Sequence, residues 1–180
     1  MNAKAIHVSL CALLLLGAGA QAVAQPRPVP QPAPAKMTVA ETEAARQALI
    51  NWFECEECEE RQLQAVVKLG ERVVPSLRAA LLEGASPASE AFLRRELEKR
   101  YDQLRRYAET HPEAKVSSSR EEFVAMYLAN FHAQYRTRAA EALGRIGGAT
   151  AVRALEEAAK GNQRPDVQES VKRALRNVKR

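Results

Sequence analysis

The strongest constraint on the fold is a pattern that occurs twice near the C-terminus. Tyr135 to Ile146 reads Y-R-T-R-A-A-E-A-L-G-R-I, and Val167 to Val178 reads V-Q-E-S-V-K-R-A-L-R-N-V. Ala142-Leu143 with Ile146 recurs as Ala174-Leu175 with Val178, a shift of 32 positions. In the second copy Val167, Val171, Ala174, Leu175 and Val178 share one face of a helix. Between the copies, Val152, Leu155, Ala158 and Ala159 repeat the helical spacing. A helix, a turn and a second helix, repeated at a fixed period, predict an α-solenoid.

The N-terminus reads as a targeting segment. Lys4 supplies a positive charge, Val8 to Ala20 is an apolar run, and Ala22-Val23-Ala24 has the form of a cleavage site. The run is short for a spanning helix, which needs roughly 20 apolar residues. A signal peptide over residues 1–24 is therefore expected, with a periplasmic or secreted mature chain and no membrane span after cleavage. No small residue stands just before Cys11, which argues against a lipid anchor. Residues 25–36 hold five prolines and predict an extended tether, because proline supplies no backbone donor.

The helical domain is expected over residues 37–180. Thr38 and Glu41 have the spacing of a capping box and open a helix running to about Phe53, with Ala45, Ala48, Leu49 and Trp52 facing inward. A second helix, to Leu69, follows the acidic connector Glu54–Glu60. Gly70 turns the chain, and Pro75 suits the first turn of a third helix ending near Gly84. Leu69-Gly70 against Leu143-Gly144, and Leu81 against Leu155, share a shift of 74, so residues 38–84 form a worn copy of the pattern. An insertion over 86–116 separates it from the repeats at 119–180. Ser86-Pro87 opens the long helix of the insertion, which carries the stripe Phe92, Leu93, Leu97, Tyr101, Leu104 and Ala108. Ser117 to Ser119 precede a helix expected to bury Phe123, Val124, Tyr127, Leu128 and Phe131. No strand pattern occurs.

The words R-A-A-E-A-L-G-R-I-G-G at Arg138 to Gly148, A-V-R-A-L at Ala151 to Leu155 and V-K-R-A-L at Val171 to Leu175 resemble the short bacterial HEAT-type repeats first noted in phycobilisome lyases. L-Q-A-V-V-K-L-G at Leu63 to Gly70 and V-P-S-L-R-A-A-L at Val74 to Leu81 are weaker matches. The resemblance implies an all-α HEAT- or armadillo-like superhelix that binds other proteins. The long helical insertion departs from the family pattern.

Three readings of C-x-x-C at Cys55 and Cys58 compete: a structural disulfide, a redox pair and part of a metal site. An exported chain with these two cysteines favours the disulfide, which needs a Cα separation of about 4.4–6.8 Å. The flanking Glu54, Glu56, Glu57, Glu59 and Glu60 oppose a thiolate. Neither a second C-x-x-C nor an H-x₃-H is present to complete a zinc set. His111 and His132 stand without a partner motif, and Gly144, Gly147 and Gly148 read as turn glycines after a helix. No catalytic residue and no cofactor is indicated.

Charge is unevenly distributed. Glu41 to Glu60 has seven glutamates against Arg46, whereas the repeats carry Arg136, Arg138, Arg145, Lys172, Arg173 and Arg176 among their cations. These six residues form the candidate partner-binding strip; export argues against nucleic acid, so the expected target is a protein, an anionic envelope polymer or a lipid headgroup. The expectation is a monomeric or weakly associated scaffold for a protein that is acidic at the contact. The alternatives are a redox or metal-handling protein built on the cysteines, or an accessory subunit of an envelope enzyme.

Overall fold

A computed structural model describes residues 38–111 and 113–178. The expected signal peptide and tether, Pro112, Lys179 and Arg180 lie outside the described residues. Among the described residues there are seven α-helices and no strand: α1 Val39–Phe53, α2 Glu60–Val67, α3 Val74–Glu83, α4 Pro87–Thr110, α5 Arg120–Ile146, α6 Gly148–Lys160 and α7 Pro165–Val178. None of them is long and apolar enough to cross a membrane.

Local chemistry sets the helix starts. Thr38 Oγ1 accepts the Glu41 N–H at 3.2 Å, and Glu41 accepts the Thr38 N–H at 2.8 Å. Ser119 and Glu122 close the same box at the start of α5, at 3.1 and 2.8 Å. Ser86 caps α4, with Pro87 in its first turn. α2 ends at Val67, slightly earlier than the sequence suggested, and a 3-10 turn over Gly70–Val73 leads into α3.

α5 runs through the middle of the domain and touches each of the other six helices. Its C-terminal half supplies Ala139, Ala140, Ala142 and Leu143, all fully buried. Around them lie Leu63 and Val66 of α2, Leu77 and Leu81 of α3, Ala151 and Leu155 of α6, and Val167 and Val171 of α7. α3 also touches α6, and α6 touches α7.

Gly144 is not a turn glycine. It lies inside α5, where an added Cβ would stand 2.8 Å from Ala174 Cβ and 2.9 Å from Ala174 Cα. Its missing side chain allows α7 to approach. Gly147 and Gly148, with φ of 67° and 78°, make the turn from α5 to α6.

The insertion differs from expectation. Of the predicted α4 stripe only Leu97 is fully buried, in a small cluster with Phe123, Val124 and Leu128. Phe92, Leu104 and Tyr107 are exposed, and so is Tyr127 on α5. α5 alone covers α4 extensively, so one flank of α4 meets solvent.

Candidate functional site

The acidic connector and the basic repeats, distant in sequence, meet at the end of α1. Trp52 and Arg138 hold each other: the indole N–H donates to the Arg138 carbonyl at 3.0 Å, and the Arg138 guanidinium lies over the ring at 5.9 Å. The same guanidinium donates to the carbonyls of Phe53 at 2.6 Å, Cys55 at 2.9 Å and Trp52 at 3.2 Å. These oxygens belong to the last turn of α1 and the residues beyond it, where carbonyls lack helical partners and the helix dipole is negative. Arg138 therefore acts as a C-terminal cap from another helix. Burial lowers its pKa from the ordinary value, against the nearby Glu141 and Tyr135, but an arginine stays charged.

The capped loop carries the cysteines. The Cys55 and Cys58 sulfurs lie 2.06 Å apart, at disulfide distance, with Cα atoms 5.3 Å apart. Cys55 follows the C-terminal end of α1, where the dipole disfavours a thiolate. Among the described residues, no group of three or more His, Cys, Asp or Glu side chains is placed to hold a metal ion.

Beside this loop a groove of about 700 Å³ opens between α5 and α7. Cys58 and Arg138 lie at the loop end, Arg145 and Glu141 come from α5, and Arg173 and Asn177 come from α7. The fold thus divides the predicted strip. Arg138, Arg145 and Arg173 line the groove, whereas Arg136, Lys172 and Arg176 do not. Arg136 instead donates to the Glu83 carbonyl at 3.3 Å, at the end of α3. Arg145 pairs with Glu60 at 3.2 Å, and Arg176 pairs with Glu169 at 3.1 Å. Arg173 and Lys172 are exposed, with no ion pair among the described residues. Acidic side chains also reach the groove, namely Glu141, Asp166 and Glu169. Asp166 is held by Arg164 at 2.9 Å, and that bond is the first cause of its lowered pKa.

On the opposite side of the α1 end, Tyr135 is buried, stacks on Phe53 at 4.6 Å and donates its hydroxyl to Glu54. Burial, then Glu54, raises the phenol's pKa well above its ordinary value, so it remains a donor. His132 Nδ1 accepts the Ala85 N–H at 3.1 Å, which leaves the proton on Nε2, 3.3 Å from Glu90. His111 stacks on Tyr107 at 3.9 Å.

The sequence shows Arg138 as one cation among several, with nothing local to mark it as a cap. The places of Tyr135, Glu54 and Trp52 in the site are not legible in the sequence, because their contacts span more than 80 positions. The one available signal was the concentration of arginine in one half of the chain and glutamate in the other. No family model, curated protein or solved structure matches the chain.

Proposed function

We propose that this chain is an exported, HEAT-like binding module whose ligand is a protein segment bearing a carboxylate, held in the groove between α5 and α7. The observation that carries the reading is the recurrence of burial at the two sequence periods. Tyr135, Ala139 and Ala142 are buried, and so are Val167, Val171 and Ala174, 32 positions later. Leu77 and Leu81 of α3 are fully buried, as are Ala151 and Leu155 of α6, 74 positions later. On this reading α2, α5 and α7 form one layer and α3 and α6 the other, each packing on its neighbour as in a solenoid. Such a stack leaves side grooves suited to contact.

Within the groove Arg173 and Arg145 supply the attraction for an acidic side chain. Asn177 and Ser170 offer hydrogen bonds to an extended backbone. Arg138 does not bind the partner; it fixes the wall, and the disulfide fixes the loop above it. The interleaved Glu141, Asp166 and Glu169 repel a uniformly acidic polymer, so a discrete carboxylate pattern is preferred.

The test is photo-crosslinking from Asn177 in an envelope extract. R145E/R173E should abolish the adduct while leaving the helical circular dichroism intact. K172E/R176E, outside the groove, should leave it unchanged. If R145E/R173E captures the same adduct as the parent, the groove reading fails.

A further inference from the structure

Among the described residues six large apolar side chains are exposed, and five of them lie on α4 and the first half of α5. Three are on α4: Phe92 at 60%, Tyr107 at 52% and Leu104 at 38% exposure. At 100° per residue, Phe92, Leu93, Glu96, Arg100, Leu104 and Tyr107 occupy one flank of the helix, beside the face that meets α5. A shallow groove lined by Leu93, Glu96 and Arg100 runs along it. Exposed apolar side chains gathered on one element and interleaved with charge mark a contact surface.

The charges indicate the occupant. Residues 87–98 hold Glu90, Glu96 and Glu98 against Arg94 and Arg95. Residues 99–110 hold Lys99, Arg100, Arg105 and Arg106 against Asp102 and Glu109. The helix is acidic in its first half and basic in its second, which is the pattern that pairs antiparallel with itself. Over residues 87–131 cations and anions balance at eight each, although the chain as a whole carries +5. A neutral hairpin gains little from an anionic lipid surface or a uniformly acidic protein.

We propose that this flank of α4 is the contact surface of a homodimer, in which two copies of the helix cross antiparallel about a two-fold axis near residue 98. In that register Glu96 of one copy faces Arg100 of the other, and Phe92 faces Leu104, each pair occurring twice as an isologous interface requires. Arg100 has no ion pair among the described residues, and Glu96 bonds only Lys99, at 2.8 Å on an exposed surface. α4 is about 36 Å long, and a seam of one helix per partner falls at the small end of specific interfaces. The dimer is therefore weak and concentration-dependent. This surface shares no lining residue with the α5–α7 groove, so the two readings stand or fall separately.

Sedimentation velocity over a concentration series tests the proposal. The weight-average mass should rise from one chain toward two. E96R and R100E should each move the transition at least tenfold higher in concentration, because each places like charges across the axis. An equimolar mixture of the two should recover association, since every pair across the axis then joins opposite charges on unlike chains. The double variant E96R/R100E should recover it also. F92S should weaken association with the helical signal unchanged, because Phe92 makes little contact within the chain. A mass of one chain at every concentration overturns the proposal, whatever else the chain binds. So do single variants that associate as the parent does, or variants that neither mixing nor combining rescues.

Discussion

α4 and α7 are both amphipathic in sequence, yet the fold treats them differently. α7 buries Val167, Val171 and Ala174 to 3% exposure or less within 14 residues. α4, with 24 residues, fully buries only Leu97. The difference lies in the surface each helix meets. α7 lies on the part of α5 where Ala139, Ala142 and Gly144 are small, so backbones approach and the stripe is covered across its width. α4 meets the part of α5 that presents Phe123 and Leu128, with Tyr101 and Phe123 ring centroids 5.6 Å apart. α4 packs extensively on α5 alone, whereas α7 packs on both α5 and α6, so contact along α4 is confined to one seam. An apolar stripe thus predicts a helix, whereas the number of helices beside it and the size of the residues opposite govern how fully the stripe is covered.

The largest expected effect sets the two environments against each other through one substitution. Leu143→Ala in the fully buried part of α5 should lower unfolding stability by about 3 kcal/mol, through lost transfer energy and a residual cavity. Leu104→Ala on α4, at 38% exposure, should change it by about 0.5 kcal/mol or less. Urea denaturation followed by circular dichroism, at a dilution where the chain is monomeric, measures both. Equal losses would mean that the α4 flank is covered within a single chain, and the contrast drawn between the helices would fail.

A smaller effect probes close approach directly. Gly144→Ala brings a Cβ to 2.8 Å from that of Ala174. The gain in helix propensity, about 1 kcal/mol, is opposed by overpacking of about 1–3 kcal/mol. A net loss of about 1 kcal/mol is expected from these opposing ranges. Ala174→Gly in the same chain should relieve the overpacking. Enlarging exposed Ala91 of α4 to leucine should leave the unfolding midpoint nearly unchanged. A Gly144→Ala chain more stable than the parent would show that α7 is free to shift outward, and that small residues do not govern its coverage.

What the sequence made legible follows the range of the interactions involved. Thr38 with Glu41, Ser86 with Pro87, and the spacing of Cys55 from Cys58 act within about one turn, so local chemistry predicted them. The burial of Val167, Val171 and Ala174 followed from periodicity once a partner helix existed. The sequence makes Gly144 look like a turn glycine because R-A-A-E-A-L-G resembles a helix end, just as Leu69-Gly70 does after α2. Gly70, with φ of 62°, does leave its helix, whereas α5 continues to Ile146. The two differ in backbone conformation and in surroundings, since Ala174 packs on Gly144 and nothing lies within 4 Å of where a Cβ would stand on Gly70. Arg138 could be seen as a cation but not as a cap, since the carbonyls it serves lie 83 to 86 positions away. The site was therefore legible as charge, and its division between structure and surface was not.

The smallest expected effect again separates body from hairpin, now by pH. The backbone and hydroxyl bonds from Thr38 lower the pKa of Glu41 below the ordinary 4.5, and those from Ser119 lower that of Glu122. A carboxylate whose pKa is depressed on folding contributes stability above the unfolded value and loses it as pH falls through the folded one. Both boxes should thus still be intact at pH 4.5 and should open only as pH falls through the lower pKa values of the folded state. The consequences differ by location. Glu122 guards the tip of the hairpin, where α4 and α5 hold each other by a narrow seam, so its protonation should speed amide exchange over residues 119–124. Exchange at Leu143, enclosed by α3, α6 and α7, should stay slow over the same range. Ser119→Ala should produce the hairpin change at neutral pH and return the Glu122 titration toward 4.5. If acid loosens Leu143 together with residue 119, the hairpin and the body unfold as one unit, and the sparse burial of α4 has no counterpart in its local stability.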